Sequence, residues 1–251
     1  MSPILEEILS NVPEGDITKV LIGMHWTAVV VETEGGQRCG LASTLSRTHN
    51  HHGQPNVPHA GELDNLSGTA LAFLAGSDEP TLASVGVAAI NALLPRNPAV
   101  WDNLNAEEVL ARNGRGKKVA IIGHFPFAAR LRSHVDELIV LEQRPRPGDL
   151  PSTEAAEILP QADVIAITGT TLINHTLEEL LALCSKQALI ILLGPSTPLS
   201  PVLFDHGVDI LCGSVVKSID PVLMAVGQGG DFHQVRLAGV RTVTMVRPGY
   251  N

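Results

Sequence analysis

In the second half of the chain, five runs are apolar at nearly every position: residues 119–123, 137–142, 163–168, 189–194 and 208–212. A strand with one solvated face alternates apolar and polar residues. A strand covered on both faces reads as a continuous apolar run, which is the habit of parallel sheets. Helical spacing fills the gaps, most clearly over 176–184, where Leu177, Leu180, Leu181 and Cys184 fall on one stripe. This alternation predicts a doubly wound parallel sheet. A further run, 234–246, is expected to be extended, as an edge strand or a crossing back to the first half.

The first half has a different pattern. Residues 20–33 read as one long strand or a strand pair, and the turn at 34–37 leads to a short strand over 38–42, an antiparallel meander. Helices are expected over 67–75 and 80–94, the second capped upstream by Ser77 and Asp78 and stopped by Pro95. The opening segment reads as a short amphipathic helix. The polar, glycine-bearing stretch 112–118 separates the two patterns, so the chain divides into an α+β domain over 1–112 and an α/β domain over 113–251.

Composition narrows the function classes. Of 251 residues, 44% are hydrophobic and only 3% aromatic, so the core is aliphatic. The net charge is −9 and no cationic run exceeds two residues, which argues against a nucleic-acid partner. Cys39, Cys184 and Cys212 are odd in number and widely spaced, as in a reduced cytoplasmic protein. The first residues lack a basic leader pattern and no apolar run is long enough to span a bilayer, so a cytoplasmic protein without membrane insertion is expected. A homodimer fits the composition equally well.

Candidate chemistry collects where the second-half strands end. Gly123 closes the first strand and is followed by His124, Phe125 and Pro126, with Pro126 suited to the first turn of a helix. A single glycine falls short of the dinucleotide fingerprint. Glu142 ends the next strand about twenty residues on, where an acid can accept from ribose hydroxyls. After the third strand come Thr168, Gly169, Thr170, Thr171 and Asn174. Capping by Thr171 or Asn174 accounts for one such residue and leaves the polar cluster as a candidate binding edge. Gly194, Pro195, Ser196 and Thr197 follow the fourth strand, and Gly213 lies just past the fifth. This convergence is expected of a small-molecule site at the carboxyl edge of an open sheet. Glu142 and His124 are the candidate acid or base groups.

Histidines offer a second possibility. His49, His51, His52 and His59 fall within eleven residues of a polar loop. Imidazoles bind transition metals, and a solvated histidine-rich loop explains the same pattern. No cysteine or carboxylate spacing completes a known metal signature. His25 and Trp26, inside an apolar region, read as core or cleft residues.

The stretches 23–28, 88–92, 119–126, 162–174, 193–198 and 203–213 together resemble a family labelled "putative heavy-metal chelation". The TGTTLIN and LGPSTP runs carry most of that resemblance. It implies an enolase N-terminal-like domain joined to a Rossmann-like domain. It also implies a site between them, bringing Asn91 toward Gly123, Glu142, Thr170, Asn174 and Ser196. A metal chelator, or a transition metal itself, is the implied ligand or cofactor. Three functions stand side by side: a protein that binds or modifies a chelator, a nucleotide- or S-adenosylmethionine-dependent enzyme, and a non-catalytic ligand-binding subunit associated with metal transport.

Overall fold

The computed structural model describes residues 1–47 and 57–250. After helix α1 (Pro3–Ser10) comes a three-stranded antiparallel sheet, β1 (Asp16–Ile22), β2 (Trp26–Thr33) and β3 (Gly36–Ser43). The run expected over 20–33 is thus the end of one strand and the whole of the next. The turn between β1 and β2 leaves His25 exposed, not in the core. Helices α2 (Gly68–Phe73) and α3 (Pro80–Leu93) follow, close to the expected spans. Ser77 does not cap α3; its Oγ accepts from Glu79 N at 3.1 Å, one residue before the helix.

Eleven of the fourteen residues of α3 are buried, because the helix is wedged between β2 and β3 on one side and the α2 region on the other. Such a helix needs small residues where backbones meet. A Cβ on Gly86 would lie 1.8 Å from Ala75 N, and one on Gly40 would lie 2.2 Å from Ala88 O. Glycine is what lets α3 lie this close to both neighbours.

The second half builds α4 (Ala106–Asn113), β4 (Lys118–Ile122), α5 (Ala128–Leu131), β5 (Glu137–Glu142), β6 (Leu150–Pro151) and α6 (Ala155–Ile158). It continues with β7 (Val164–Thr168), α7 (Leu177–Leu183), β8 (Leu189–Leu193), α8 (Val202–Asp205) and β9 (Ile210–Val216). It closes with α9 (Ile219–Gly227), α10 (Phe232–Gly239) and β10 (Val240–Val246). The sheet runs β10-β9-β8-β7-β4-β5-β6, parallel except for β10. All five expected strands are present. The run over 234–246 is only partly extended: Asp231 and Gln234 form a reciprocal capping box that starts α10, and β10 occupies the rest.

Continuous apolar strands are explained by cover on both faces. Ala120, Ile122, Ile165, Ile167, Ile190 and Leu192 join a core that also takes in α1, α2, α3 and β2. Their neighbours Val119, Ile121, Val164, Ala166, Ile191 and Leu193 pack with Val109, Leu110 and Leu131 of α4 and α5. Each such aliphatic side chain contributes about 1.5–3 kcal/mol on burial. The other face of the small sheet packs Ala28, Val30 and Leu41 on α9 and α10 through Val222, Val226 and Val235.

Candidate functional site

Strand order reverses between β4 and β7, since β5 and β6 extend one way and β8, β9 and β10 the other. Open α/β sheets bind ligands at such a point. Here it is filled. A Cβ on Gly123 (φ +103°) would lie 3.1 Å from Thr168 Cβ and 3.4 Å from Phe125 Cε2. The Phe125 ring also stacks on Phe127 at 5.3 Å. Phe125 thus lies close to the end of β4, beside Gly123.

A pocket of about 620 Å³ is lined in part by Phe125. It extends over Leu193 at the end of β8, Gly194 and Pro195 after it, Cys212 and Gly213 in β9, and Val243 in β10. Phe125, Pro126, Gly194, Pro195 and Gly213, all anticipated from sequence, line it. Gly194 turns the chain at φ +108°, conformational space that favours glycine. Pro126 precedes α5 rather than entering it, because Ala128 N donates to Phe125 O in a tight turn at 3.0 Å.

Sequence reading missed the pocket's other walls. Glu107 near the start of α4 and Arg130 of α5 form a fork of two bonds, 2.8 and 2.6 Å. Their mutual hydrogen bonds and charges lower the Glu107 carboxyl and raise the Arg130 guanidinium. Asp231, Phe232, His233 and Arg236 also line the pocket. Asp231 Oδ1 accepts from Gln234 N at 2.8 Å. Trp26 packs against Phe232 at 5.3 Å, so the first half supports this wall from behind. Burial pushes the Cys212 thiol up to about 11, so in the pocket lining it is a neutral, weakly polar surface.

The hydroxyl cluster after β7 is largely bonded to itself. Thr168 and Thr170 hydroxyls lie 3.0 Å apart, and Thr171 donates to Thr168 O at 2.7 Å. Asn174 Oδ1 accepts from the Thr176 hydroxyl at 2.7 Å. A Cβ on Gly169 would lie 2.6 Å from Thr197 N, so the loops after β7 and β8 touch directly. Ser196, 1% exposed, accepts from Ser43 N at 2.9 Å, joining the second half to the first. His175, at φ +59°, contacts Ser77 O at 2.9 Å. Asn91 donates to Leu41 O at 2.8 Å and lies with Thr197 beside a small cavity of about 10 Å³. Of the residues expected to line an interdomain cleft, Ser196 bonds across the two halves, whereas Asn91, Thr168, Thr171 and Asn174 bond within their own half.

Glu142 is likewise committed: its oxygens accept from His124 N at 2.9 Å and Gln143 N at 2.7 Å. His124 Nδ1 meets Asp149 Oδ2 at 2.9 Å, and the Asp149 side chain is 4% exposed. Burial raises the Asp149 carboxyl, but the Arg146 N–H, the His124 imidazole and the Arg146 charge outweigh it and hold it below its usual value. Asp149 carried no sequence signal, lying in a proline-rich loop far from any motif.

Of the four loop histidines, His49, His51 and His52 lie outside the described residues. His59 is exposed, and its Nδ1 is 3.7 Å from Glu62. Among the described residues, no three of His, Cys, Asp and Glu gather closely enough to hold a metal ion, and no helix is long and apolar enough to cross a membrane.

Two family models match the chain, DUF4213 over 5–94 and DUF364 over 105–245, both described as "Putative heavy-metal chelation". The chain belongs to this family. A relative from Methanocaldococcus jannaschii, described as "Uncharacterized protein MJ0500", is 28% identical over 208 residues, which cover 80% of this chain and 79% of the relative. A DUF364 family protein of unknown function from Desulfitobacterium hafniense has a similar crystal structure, with TM-score 0.83 and 29% identity, covering 97% of this chain and 98% of that one. A second member of the family, from Pyrococcus horikoshii, also of unknown function, superposes with TM-score 0.80 at 24% identity and the same coverage. Both likenesses extend over the small antiparallel sheet and the seven-stranded one.

Proposed function

We propose that this protein binds a small organic molecule, a metal chelator or its metal complex, in the pocket beside Phe125. The carrying observation is the 620 Å³ pocket at the carboxyl edge of the large sheet, lined by apolar residues such as Phe125, Phe127 and Val243 and by charged ones. Its size is that of ordinary small-molecule sites. The lining includes Arg130 and Arg236 as well as Glu107 and Asp231, so formal charges balance, and hydrogen-bonding capacity decides what is attracted. Glu107 is held by Arg130, and Asp231 caps α10. Arg236 has no acid partner among the described residues and offers its guanidinium to a carboxylate, catecholate or hydroxamate oxygen. The family description supports the link to metals.

Fluorescence titration tests this with anilinonaphthalene sulfonate as an anionic aromatic probe and N-phenylnaphthylamine as its uncharged counterpart. Both bind if the pocket takes ligands, and the sulfonate binds more tightly. Arg236→Ala removes about 1 kcal/mol of that preference, roughly fivefold. Binding of neither probe to the folded protein sinks the proposal. Elemental analysis and native mass spectrometry, on protein purified without chelators or a histidine tag, test the metal link directly.

A second reading, an enzyme, is favoured by the His124–Asp149 pair. A buried carboxylate on Nδ1 fixes the imidazole and leaves Nε2 available as a base. Asp149→Asn removes the low-field signal of the hydrogen-bonded His124 ring proton if the carboxylate holds that tautomer, which proton NMR reads.

A further inference from the structure

Arg96 sits where the two halves of the molecule meet and is a cation in need of a counter-charge. Its Nη1 donates to Val216 O at 3.5 Å and its Nη2 to Cys39 O at 3.2 Å, both neutral carbonyls. Its Nε is buried without a hydrogen-bond partner among the described residues, and so is Thr197 Oγ1. No acid forms an ion pair with Arg96 among the described residues. Burial first, and then the neighbouring charge of Arg38, depress its guanidinium. Arg96 is thus a partly buried cation beside a second one, with no carboxylate paired to it among the described residues.

Arg96 and Thr197 both line the 10 Å³ cavity, together with Asn91 and Ser214, and no acidic residue lines it. That volume accommodates one water-sized occupant. A phosphate or sulfate does not fit, so the chemistry narrows to a monoatomic anion or a water. The surrounding charge favours the anion.

We propose that this junction cavity binds a single halide, chloride under ordinary conditions, with Arg96 Nε–H and the Thr197 hydroxyl as its donors. Asn91 and Arg96 come from α3 and the chain just beyond it, whereas Thr197 and Ser214 belong to the edge of the large sheet. The ion therefore joins the halves beside the Ser196–Ser43 and His175–Ser77 bonds, away from the pocket proposed for the organic ligand. Because it binds only the folded state, halide raises stability by mass action.

The test uses the whole chain crystallised in sodium bromide, with diffraction at the bromine absorption edge and thermal unfolding in bromide or gluconate at equal ionic strength. The expected result is an anomalous peak at hydrogen-bond distance from Arg96 Nε. The unfolding midpoint rises with bromide, and Thr197→Val, which keeps the side-chain shape, reduces that rise at least twofold. Arg96→Met abolishes the rise; should it fail to fold, Thr197→Val still decides. Density at that point without an anomalous signal identifies water and overturns the proposal. A bromide peak with no difference between bromide and gluconate means an adventitious ion only, and overturns it as well.

Discussion

Replacing Ser196 by alanine distinguishes a ligand-binding serine from a structural one. In the fold, Ser196 Oγ accepts from Ser43 N at 2.9 Å and approaches Ser43 Oγ at 3.3 Å, with the side chain 1% exposed. The variant leaves the Ser43 N–H without its acceptor. An orphaned buried donor costs about 1–3 kcal/mol, against roughly 1 kcal/mol for an ordinary exchanged hydrogen bond. Ser43 is only half-buried, so water meets part of the loss, and the second contact is long and made to a hydroxyl that can turn. A cost of about 2 kcal/mol follows, equivalent to a fall of roughly 4–8 °C in the unfolding midpoint for a chain of this size. Ser43→Ala loses only the long hydroxyl contact and costs about 0.5 kcal/mol or less. Urea unfolding measures both variants, and probe titration measures binding. The structural reading fails if Ser196→Ala is as stable as the parent while its probe affinity drops tenfold.

Other outcomes follow from the same geometry. Gly86→Ala places a methyl against the Ala75 backbone, which cannot swing aside, so a loss of more than about 3 kcal/mol is expected; Gly227→Ala, whose Cβ meets Leu21 Cδ2 at an ordinary 3.7 Å, leaves the midpoint nearly unchanged. Asp149 has a depressed folded pKa, so its stabilisation is complete above the unfolded value of about 3.9 and fades as pH falls through the lower folded value. Asp149→Asn is therefore less stable at neutral pH, and the gap to the parent narrows in acid; urea midpoints across the range check this, and a gap that widens in acid refutes it. Burial pushes Cys184 and Cys212 up to about 11 and Cys39 up to about 12. At pH about 8 roughly one thiol in a thousand is then ionised at Cys212, so mass spectrometry should find it unmodified by iodoacetamide in the native protein and alkylated in urea.

The sequence by itself determined the elements. Apolar runs at 119–123, 163–168 and 189–194 are continuous because both faces of β4, β7 and β8 are covered, a requirement written locally into each strand. Glycines at strand ends were equally legible, and Gly123 and Gly194 do turn the chain at positive φ. The capping box at Asp231 was also in the sequence, but the apolar residues after it masked the helix it starts. Tertiary structure alone decided what the strand-end polar residues do. Thr168, Thr171, Asn174 and Ser196 carry the same donors and acceptors whether they face a ligand or their own backbone. Which partner wins depends on segments brought close only in the folded chain: Ser43 beside Ser196, Thr197 against Gly169, and Asp149 on His124. The pocket was hidden for the same reason. Glu107, Arg130 and Arg236, distant in sequence, meet around one pocket with Phe125. Hydrophobic periodicity is a property of neighbours along the chain, whereas a binding wall is a property of neighbours in space.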